Sequence, residues 1–361
     1  MQVTRIRLQN FRNIPLVDLP FDGVTQFFVG NNAQGKTNLL EGVGLLSALR
    51  SFRTQDVNTL IKQGEQEARL AFDLADERFG STEVWITLKR KGKEVEVDGE
   101  KLTRFRDFIG RFPAVVLSSQ DIQLLRGSPG VRRQWLNLAL SSGSPVYYDV
   151  LRDFHKLLQE RNSLLKANGG LDEIRAFEKL FAIKAAQLRE IRGVEVGKLQ
   201  EKFNKIYGGV SGDEEGPELI YKPDTDAMSE EDFLRLFDKN RPRDRIMKST
   251  QQGPHRDDVS IRLESRIARD FASEGQQRSL IISLKIAQLQ YLHEKLGVMP
   301  VLLADDVLGE LDQKRKRNFW ETIGESVQVI ATGTEVPIVE SRGQWQVFEV
   351  EDGQFSQRAT P

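Results

Sequence analysis

The chain has 361 residues, more than one hydrophobic core comfortably organises, so two domains or one large domain with an insertion are expected. Its 52 lysines and arginines balance 53 aspartates and glutamates, which excludes a net positive field, so any contact with nucleic acid must come from local patches. Cysteine is absent and there are only three histidines, which excludes disulfides, cysteine-bound zinc and iron–sulfur clusters and argues against a histidine-built metal site.

Met1 leads into VTRIRLQNF, whose charges interrupt any apolar run, so no signal peptide is read. Ile6 and Leu8 alternate with Arg5, Arg7 and Gln9, and TQFFVG (25 to 30) is a short apolar run; both read as strands. Leu39, Leu40, Val43, Leu46 and Leu49 then recur at helical spacing. Between 69 and 102 the period drops to two, with Val84, Ile86 and Leu88 against Val95 and Val97, a turn at Arg90-Lys91-Gly92-Lys93 and another at Asp98-Gly99. This reads as antiparallel sheet.

From about 130 to 250 the pattern is helical. Phe154, Leu157, Leu158, Arg161, Leu164 and Leu165 trace one helix that ends at Asn168-Gly169-Gly170, and Ile174, Phe177, Phe181, Leu188 and Ile191 trace a longer one, which suggests an antiparallel hairpin. GGVSGDEEGPE (208 to 218) reads as a loop, and Ser229 with Asp232 as a capping box. After 253 come a strand at 259 to 263, a helix from about 276 to 295, the apolar strand VLLA (301 to 304) and a strand at 327 to 333. The apolar runs near 113 to 117 and 298 to 304 are too short to cross a bilayer, so a soluble, cytoplasmic protein without a membrane partner is expected. The chain thus reads as an α/β domain (1 to 128) with an antiparallel β subdomain, interrupted by a helical arm (129 to 251) and resumed at 252 to 361.

GNNAQGKT (30 to 37) fits G-x-x-x-x-G-K-[ST], lying between a strand and a helix as a phosphate loop requires. Gly30 and Gly35 allow a tight nest of N–H groups from Asn31, Asn32, Ala33 and Gln34, and the helix starting near Lys36, with Asn38 in its first turn, offers its positive end. Lys36 would reach the β and γ phosphates of ATP, and the Thr37 hydroxyl would ligate Mg²⁺. Asp305 and Asp306 stand at the C-terminal edge of VLLA, where ligands bind in open α/β sheets. Asp305 is assigned to the Mg²⁺ shell and Asp306 to polarising the attacking water.

FASEGQQRS (271 to 279) places Ser273, Gly275 and Gln276 just ahead of an amphipathic helix, and GELD (309 to 312) follows the aspartates. The order of phosphate loop, insertion, S-x-G-Q signature and acidic strand matches an ABC-type ATPase head. A signature loop at a helix N-terminus is a second anion site, usable only by a γ-phosphate held in another copy, so ATP would join a homodimer and hydrolysis would release it.

LQNFRNI (8 to 14), GNNAQGKTNLLE (30 to 41), RGSPGVRRQWL (126 to 136), QGPHRDD (252 to 258), SEGQQRS (273 to 279) and DDVLGELD (305 to 312) together resemble the RecF family of bacterial recombination mediators, related to the heads of SMC-type proteins. The resemblance implies an ATP-dependent dimer on double-stranded or gapped DNA, slow ATP turnover stimulated by DNA, and cooperation with RecR and RecO to load RecA. It implies Arg12 and Asn13 beside the nucleotide, though the same stretch suits a purely structural strand end. By the same resemblance Gln120 and Asp121 lie where SMC-like heads keep a loop that senses γ-phosphate, with Gln120 assigned to the metal shell; the flanking SSQDIQ departs from the acidic SPEDL pattern expected there. Thr332 occupies the region where transporters keep a switch histidine. Spacing assigns no chemistry to His255 and Arg256.

For DNA the candidates are Arg132 and Arg133 after the GSPG turn, Lys156 and Arg161 on the first arm helix, and Arg241, Arg243, Arg245 and Lys248 in the return segment. Aromatics are not interleaved with them, which favours tracking of a duplex backbone over stacking on single strands. Two other classes use the same loop: an ABC ATPase subunit driving a transporter or an SMC-type assembly, and a small-molecule kinase, for which the signature would have no purpose.

Overall fold

The computed structural model describes residues 1–54, 56–76, 78, 80–212, 215–337 and 344–358. In chain order the elements are β1 (Gln2–Phe11), β2 (Ile14–Pro20), β3 (Thr25–Val29), α1 (Lys36–Ala48), β4 (Glu67–Asp76), β5 (Gly80–Lys89), β6 (Gly92–Val97), β7 (Glu100–Lys101) and β8 (Ala114–Ser118). There follow α2 (Gln123–Arg126), α3 (Pro129–Gly143), α4 (Pro145–Lys166), α5 (Leu171–Ser211), β9 (Pro217–Lys222), α6 (Glu230–Met247), β10 (Asp258–Leu263), β11 (Arg266–Ile267) and α7 (Ala268–Phe271). The chain closes with α8 (Glu274–Leu296), β12 (Val301–Asp305), α9 (Gln313–Ile323), β13 (Val329–Gly333), β14 (Gln346–Glu351) and β15 (Gln354–Gln357). Two compact units result, the first from Met1–Asp121, Ile206–Glu214 and Arg278–Pro361, the second from Ile122–Lys205 and Glu215–Gln277.

In the first unit, one antiparallel sheet runs in the order β2-β1-β4-β5-β6-β7. The period-two pattern accounts for it: Val84 and Ile86 lie opposite Val97 and Val95, all buried, and the β5–β6 turn is the two residues Arg90-Lys91. A second sheet has the order β15-β14-β3-β13-β12-β8, with β14, β3, β13, β12 and β8 parallel and β15 antiparallel at the edge. Every residue of β12 and β13 is buried, as befits parallel strands covered on both faces. Leu39, Leu40, Val43 and Leu46 of α1 share one core with Leu8 and Leu70 of the antiparallel sheet and with Phe28, Leu303 and Ile330 of the parallel one. The first turn of α1 is thereby fixed at the C-terminal edge of the parallel strands.

The second unit holds α3, α4, most of α5 and α6, with the small sheet β11-β10-β9. The helical hairpin lies where the spacing places it: α4 gives way at Ala167, Asn168 adopts φ 54° and the Gly169 N–H returns to the Leu164 carbonyl at 2.8 Å. Phe154, Phe181 and Phe237 stack in its core. Two stretches differ from expectation. The loop expected at 208 to 218 is helix as far as Ser211 and strand from Pro217. The strand near 259 to 263, expected in the returning α/β half, pairs with β9 and β11 inside the second unit, with Asp258 opposite Lys222 and Leu263 opposite Pro217. Backbone pairing with a strand that composition disguised as loop draws this segment into the arm, so the compact units divide after Asp121 and Gln277, whereas composition shifts at 128 and 251. Among the described residues no helix is long and apolar enough to cross a membrane.

Candidate nucleotide site

The loop after β3 is shaped by its two glycines. A Cβ on Gly30 would stand 2.4 Å from the Val350 carbonyl oxygen of β14, and Gly35 adopts φ 115° with Asn13 Oδ1 3.0 Å from where its Cβ would be. Neither position admits a side chain. Asn31, Asn32 and Ala33 are exposed on the rim, and Gln34 anchors the loop, its Oε1 accepting from the Asp352 N–H at 2.7 Å and its carbonyl from the Gly353 N–H at 2.9 Å. Lys36 is only 6% exposed and folds back so that its Nζ donates to the Gly30 carbonyl and, at 2.8 Å, to that of Asn31. Burial pushes its ammonium below the ordinary range, against the pull of the Asp306 and Asp305 charges. A desolvated cation whose hydrogen bonds go to the neutral carbonyls of Gly30 and Asn31 is poised to exchange them for an anion.

Parallel register brings the acidic residues to the same edge. Asp305 lies opposite Thr332 on one side and Ser118 on the other. Its Oδ1 accepts from the hydroxyls of Thr37 and Thr332, each at 2.9 Å, and the Thr332 Oγ1 accepts in turn from the Asp306 N–H at 3.0 Å. Burial raises the Asp305 carboxyl, partly offset by the two hydroxyls; Asp306 adds to the rise and the Arg53 charge opposes it. Asp306 itself is exposed at φ 57°. Gln120 is exposed in the turn that follows β8, while Asp121 is engaged by the Ser118 N–H at 2.7 Å and by Lys285 Nζ at 2.6 Å. That ion pair fixes the turn and leaves Gln120 the more available of the two.

Arg12 and Asn13 brace the loop. The Arg12 guanidinium, at a φ of 56°, grips the fully buried Glu41 of α1 through bonds of 2.8 and 2.9 Å. Asn13 Oδ1 accepts from Asn38 Nδ2 at 2.8 Å, and its Nδ2 donates to the Gln34 carbonyl at 3.4 Å. Sequence reading missed two members of this cluster, Glu41 and Arg53; Arg53 donates to Asn38 Oδ1 at 2.8 Å and to Glu41 at 3.3 Å. The available signal was a glutamate at an otherwise apolar helix position, which in a buried stripe demands a cation.

Among the described residues no group of three or more histidine, aspartate or glutamate side chains could hold an ion alone. Magnesium needs no such cage, since it keeps waters and binds through one or two protein oxygens together with substrate phosphates. The Thr37 hydroxyl and the buried Asp305 carboxylate, 2.9 Å apart, are the hard oxygen donors such a shared site uses.

In the second unit, Ser273, Gly275 and Gln276 open α8 in a reciprocal cap: Ser273 Oγ accepts from the Gln276 N–H at 3.2 Å, and Gln276 Oε1 accepts from the Ser273 N–H at 2.7 Å. Gln276 Nε2 also donates to Glu215 at 2.5 Å. Ser273 and Glu274 remain exposed.

The DNA candidates separate by burial. Arg161 is 0% exposed and bonded at 2.8 Å to both Glu178 and Asp244, so it is withdrawn from the set: its charge is neutralised inside the arm. Arg132 forms two 2.8 Å bonds to Asp258, Arg133 donates to the Asp257 carbonyl at 2.8 Å, and Arg245 to that of Gly169 at 2.9 Å. Arg241 is likewise buried on Glu178. Lys156, Arg243 and Lys248 are exposed. The QGPHRDD stretch proves to be a structural hub: the Asp257 carboxylate takes Arg189 at 2.8 Å, Arg192 at 3.5 Å, the Asp224 N–H at 3.0 Å and the Tyr221 hydroxyl. Arg189 and Arg192 were missed, although arginines recurring on the stripe of Phe181, Ala185 and Leu188 signal buried ion pairs.

The family described as RecF/RecN/SMC N terminal domain matches residues 2–355. The DNA replication and repair protein RecF of Exiguobacterium sp. (strain AT1b) is 34% identical over 370 residues, covering 98% of each chain. That of Leptospira interrogans serovar copenhageni is 34% identical over 362 residues with the same coverage. Among solved structures, the recombination mediator protein RecF with ATP, from the RecFOR pathway, superposes with a TM-score of 0.90 at 31% identity, covering 99% of this chain and 97% of that one. An SMC head bound to the winged-helix domain of ScpA shares the fold alone, with a TM-score of 0.54 at 14% identity over 99% of this chain and 98% of the other. A phosphate loop, a signature and an acidic strand in this order, with a family model and relatives matched from end to end, place the chain in the RecF family.

Proposed function

We propose that this chain is an ATP-dependent DNA-binding ATPase of recombinational repair and replication-gap processing, acting in the cytoplasm. The carrying observation is the convergence of Lys36, Thr37, Asp305, Asp306 and Thr332 at one strand edge. Lys36 exchanges the Gly30 and Asn31 carbonyls for the β and γ phosphates, and the N–H groups of residues 31 to 37 close around them. Thr37 and Asp305 would hold Mg²⁺, which when bound neutralises phosphate charge. Asp306 orients a water and accepts its proton as the oxygen adds to the γ-phosphorus; the bond to the bridging oxygen breaks, giving ADP and phosphate.

The capped turn at Ser273 supplies the second anion site, donated to the nucleotide of a twin chain, so that ATP drives dimerisation and slow, DNA-stimulated hydrolysis reverses it. Relatives named for replication and repair, and a neighbour named for the RecFOR pathway, support a role with RecR and RecO in loading RecA on gapped DNA; they disfavour the transporter alternative. Sedimentation of the wild type, Lys36→Met and Ser273→Arg, with and without ATP and a gapped duplex, tests this. ATP is expected to double the mass of the wild type alone and to retain it on DNA. Hydrolysis by monomers at an undiminished rate in Ser273→Arg would overturn the composite site.

A further inference from the structure

We propose that Thr332 is a positioning residue that couples the metal-side aspartate to the water-side aspartate, holding both through one hydroxyl. The proposal rests on the nucleotide-site reading above and extends it to a residue that touches neither phosphate nor metal in that reading.

A threonine hydroxyl has one proton and two lone pairs. The carboxylate of Asp305 can only accept, so the Thr332 proton goes to Oδ1, 2.9 Å away, and the Asp306 N–H, 3.0 Å away, finds the lone pair. Both bonds are therefore directional, and a single rotamer must satisfy them. That rotamer is confined: Thr332 is 1% exposed, its side chain is β-branched, and β13 is pinned between β3 and β12 with Asp305 directly opposite.

The second bond matters because of what Asp306 does with its backbone. Its φ of 57° lies in the left-handed region, which is disfavoured for a residue with a Cβ. The Asp306 N–H lies in the planar peptide it shares with Asp305, so its bond to Thr332 fixes the plane from which this left-handed turn departs. The Thr332 hydroxyl thus holds the peptide plane from which the exposed Asp306 carboxylate, which is to receive a proton, is aimed, while steadying the neighbouring carboxylate that shares Thr37. Valine at 332 would fill the same volume but leave the Asp306 N–H unpaired and Asp305 with one donor fewer; serine would keep both bonds.

The test uses the full chain with Thr332→Val and Thr332→Ser. In hydrogen exchange without nucleotide or metal, the segment around Asp306 is expected to exchange faster in the valine variant and at the wild-type rate in the serine variant. With nucleotide, the apparent Mg²⁺ affinity of the valine variant is expected to fall about 10-fold, and kcat by about 10- to 100-fold, the usual effect of removing a group that orients a metal ligand. ATP affinity in EDTA and KM stay near wild type, and serine restores kcat. Wild-type exchange and turnover in the valine variant, or equal impairment of both variants, would overturn the proposal, the latter by showing that only the methyl counts. A wild type without Mg²⁺-dependent ATP turnover would instead defeat the nucleotide reading, and the exchange result would still decide whether Thr332 holds Asp306.

Discussion

His255 places its Nε2 3.0 Å from the Thr250 carbonyl, which fixes that nitrogen as the donor, and leaves Nδ1 buried without a partner. Protonation would put a second N–H at Nδ1 with nothing to accept it. Burial pushes the imidazole down to about 4; Arg256 and His155 act in the same direction, and the Thr250 carbonyl and Asp257 oppose it. The unfolded chain binds this proton near pH 6.5, so the stability held by the neutral ring is complete above that pH and is lost as pH falls towards 4, by up to ~1.4 kcal/mol per unit. Urea unfolding midpoints between pH 7.5 and 4.5 should therefore fall more steeply for the wild type than for His255→Asn, which starts lower but lacks this proton. The raised carboxyls of Asp224 and Asp244 belong to both proteins and cancel in the comparison. Parallel slopes would refute this assignment. The motif was legible as a motif; its chemistry was not, because the Thr250 contact and the empty Nδ1 side are set by packing.

The arm helices are held to one another by charge as well as by apolar contact. Arg161 of α4 reaches Glu178 of α5 and Asp244 of α6 at 2.8 Å, Arg241 of α6 shares Glu178, and the Thr250 hydroxyl accepts a further N–H of Arg161 at 2.7 Å. Such a lattice is weak evidence of net stabilisation, but removing one member strands the others without compensation. Arg161→Met should cost ~3–5 kcal/mol, read as a drop in the urea midpoint of the arm; a change under about 1 kcal/mol would mean that water enters and replaces the guanidinium. Helical spacing revealed α4 and α5 because phenylalanines and leucines mark their inner faces. It hid the lattice because spacing along one helix places Arg161 on the apolar stripe of α4 without naming the carboxylates that meet it from α5 and α6. The strand β9 was hidden differently: Gly208 and Gly209 suggested a break, yet both lie inside α5, and Pro217–Lys222 becomes a strand only through its pairing with β10. The nucleotide loop suffered neither problem, since its glycines, lysine and threonine are demanded by local backbone geometry.

At the scale of the whole chain, a formal charge of −1 conceals an uneven use of cations. Arg161, Arg189, Arg192 and Arg241 are spent on carboxylates inside the arm, whereas Lys156, Arg243 and Lys248 remain on the surface, with Lys156 3.9 Å from Glu160. On the DNA-binding reading, affinity comes from releasing counterions at the phosphates that exposed cations contact, so log K should fall linearly with log salt. Lys156→Ala and Arg243→Ala should each weaken binding of a gapped duplex without changing sequence preference and lower that slope by about 1. Arg161→Met should leave the slope unchanged at temperatures where the arm is folded, since its guanidinium is buried on Glu178 and Asp244. Fluorescence anisotropy from 50 to 300 mM salt separates these cases. Unchanged slopes in both surface variants would move the DNA path away from this part of the arm, and a reduced slope in Arg161→Met would mean that the buried lattice opens when DNA is bound.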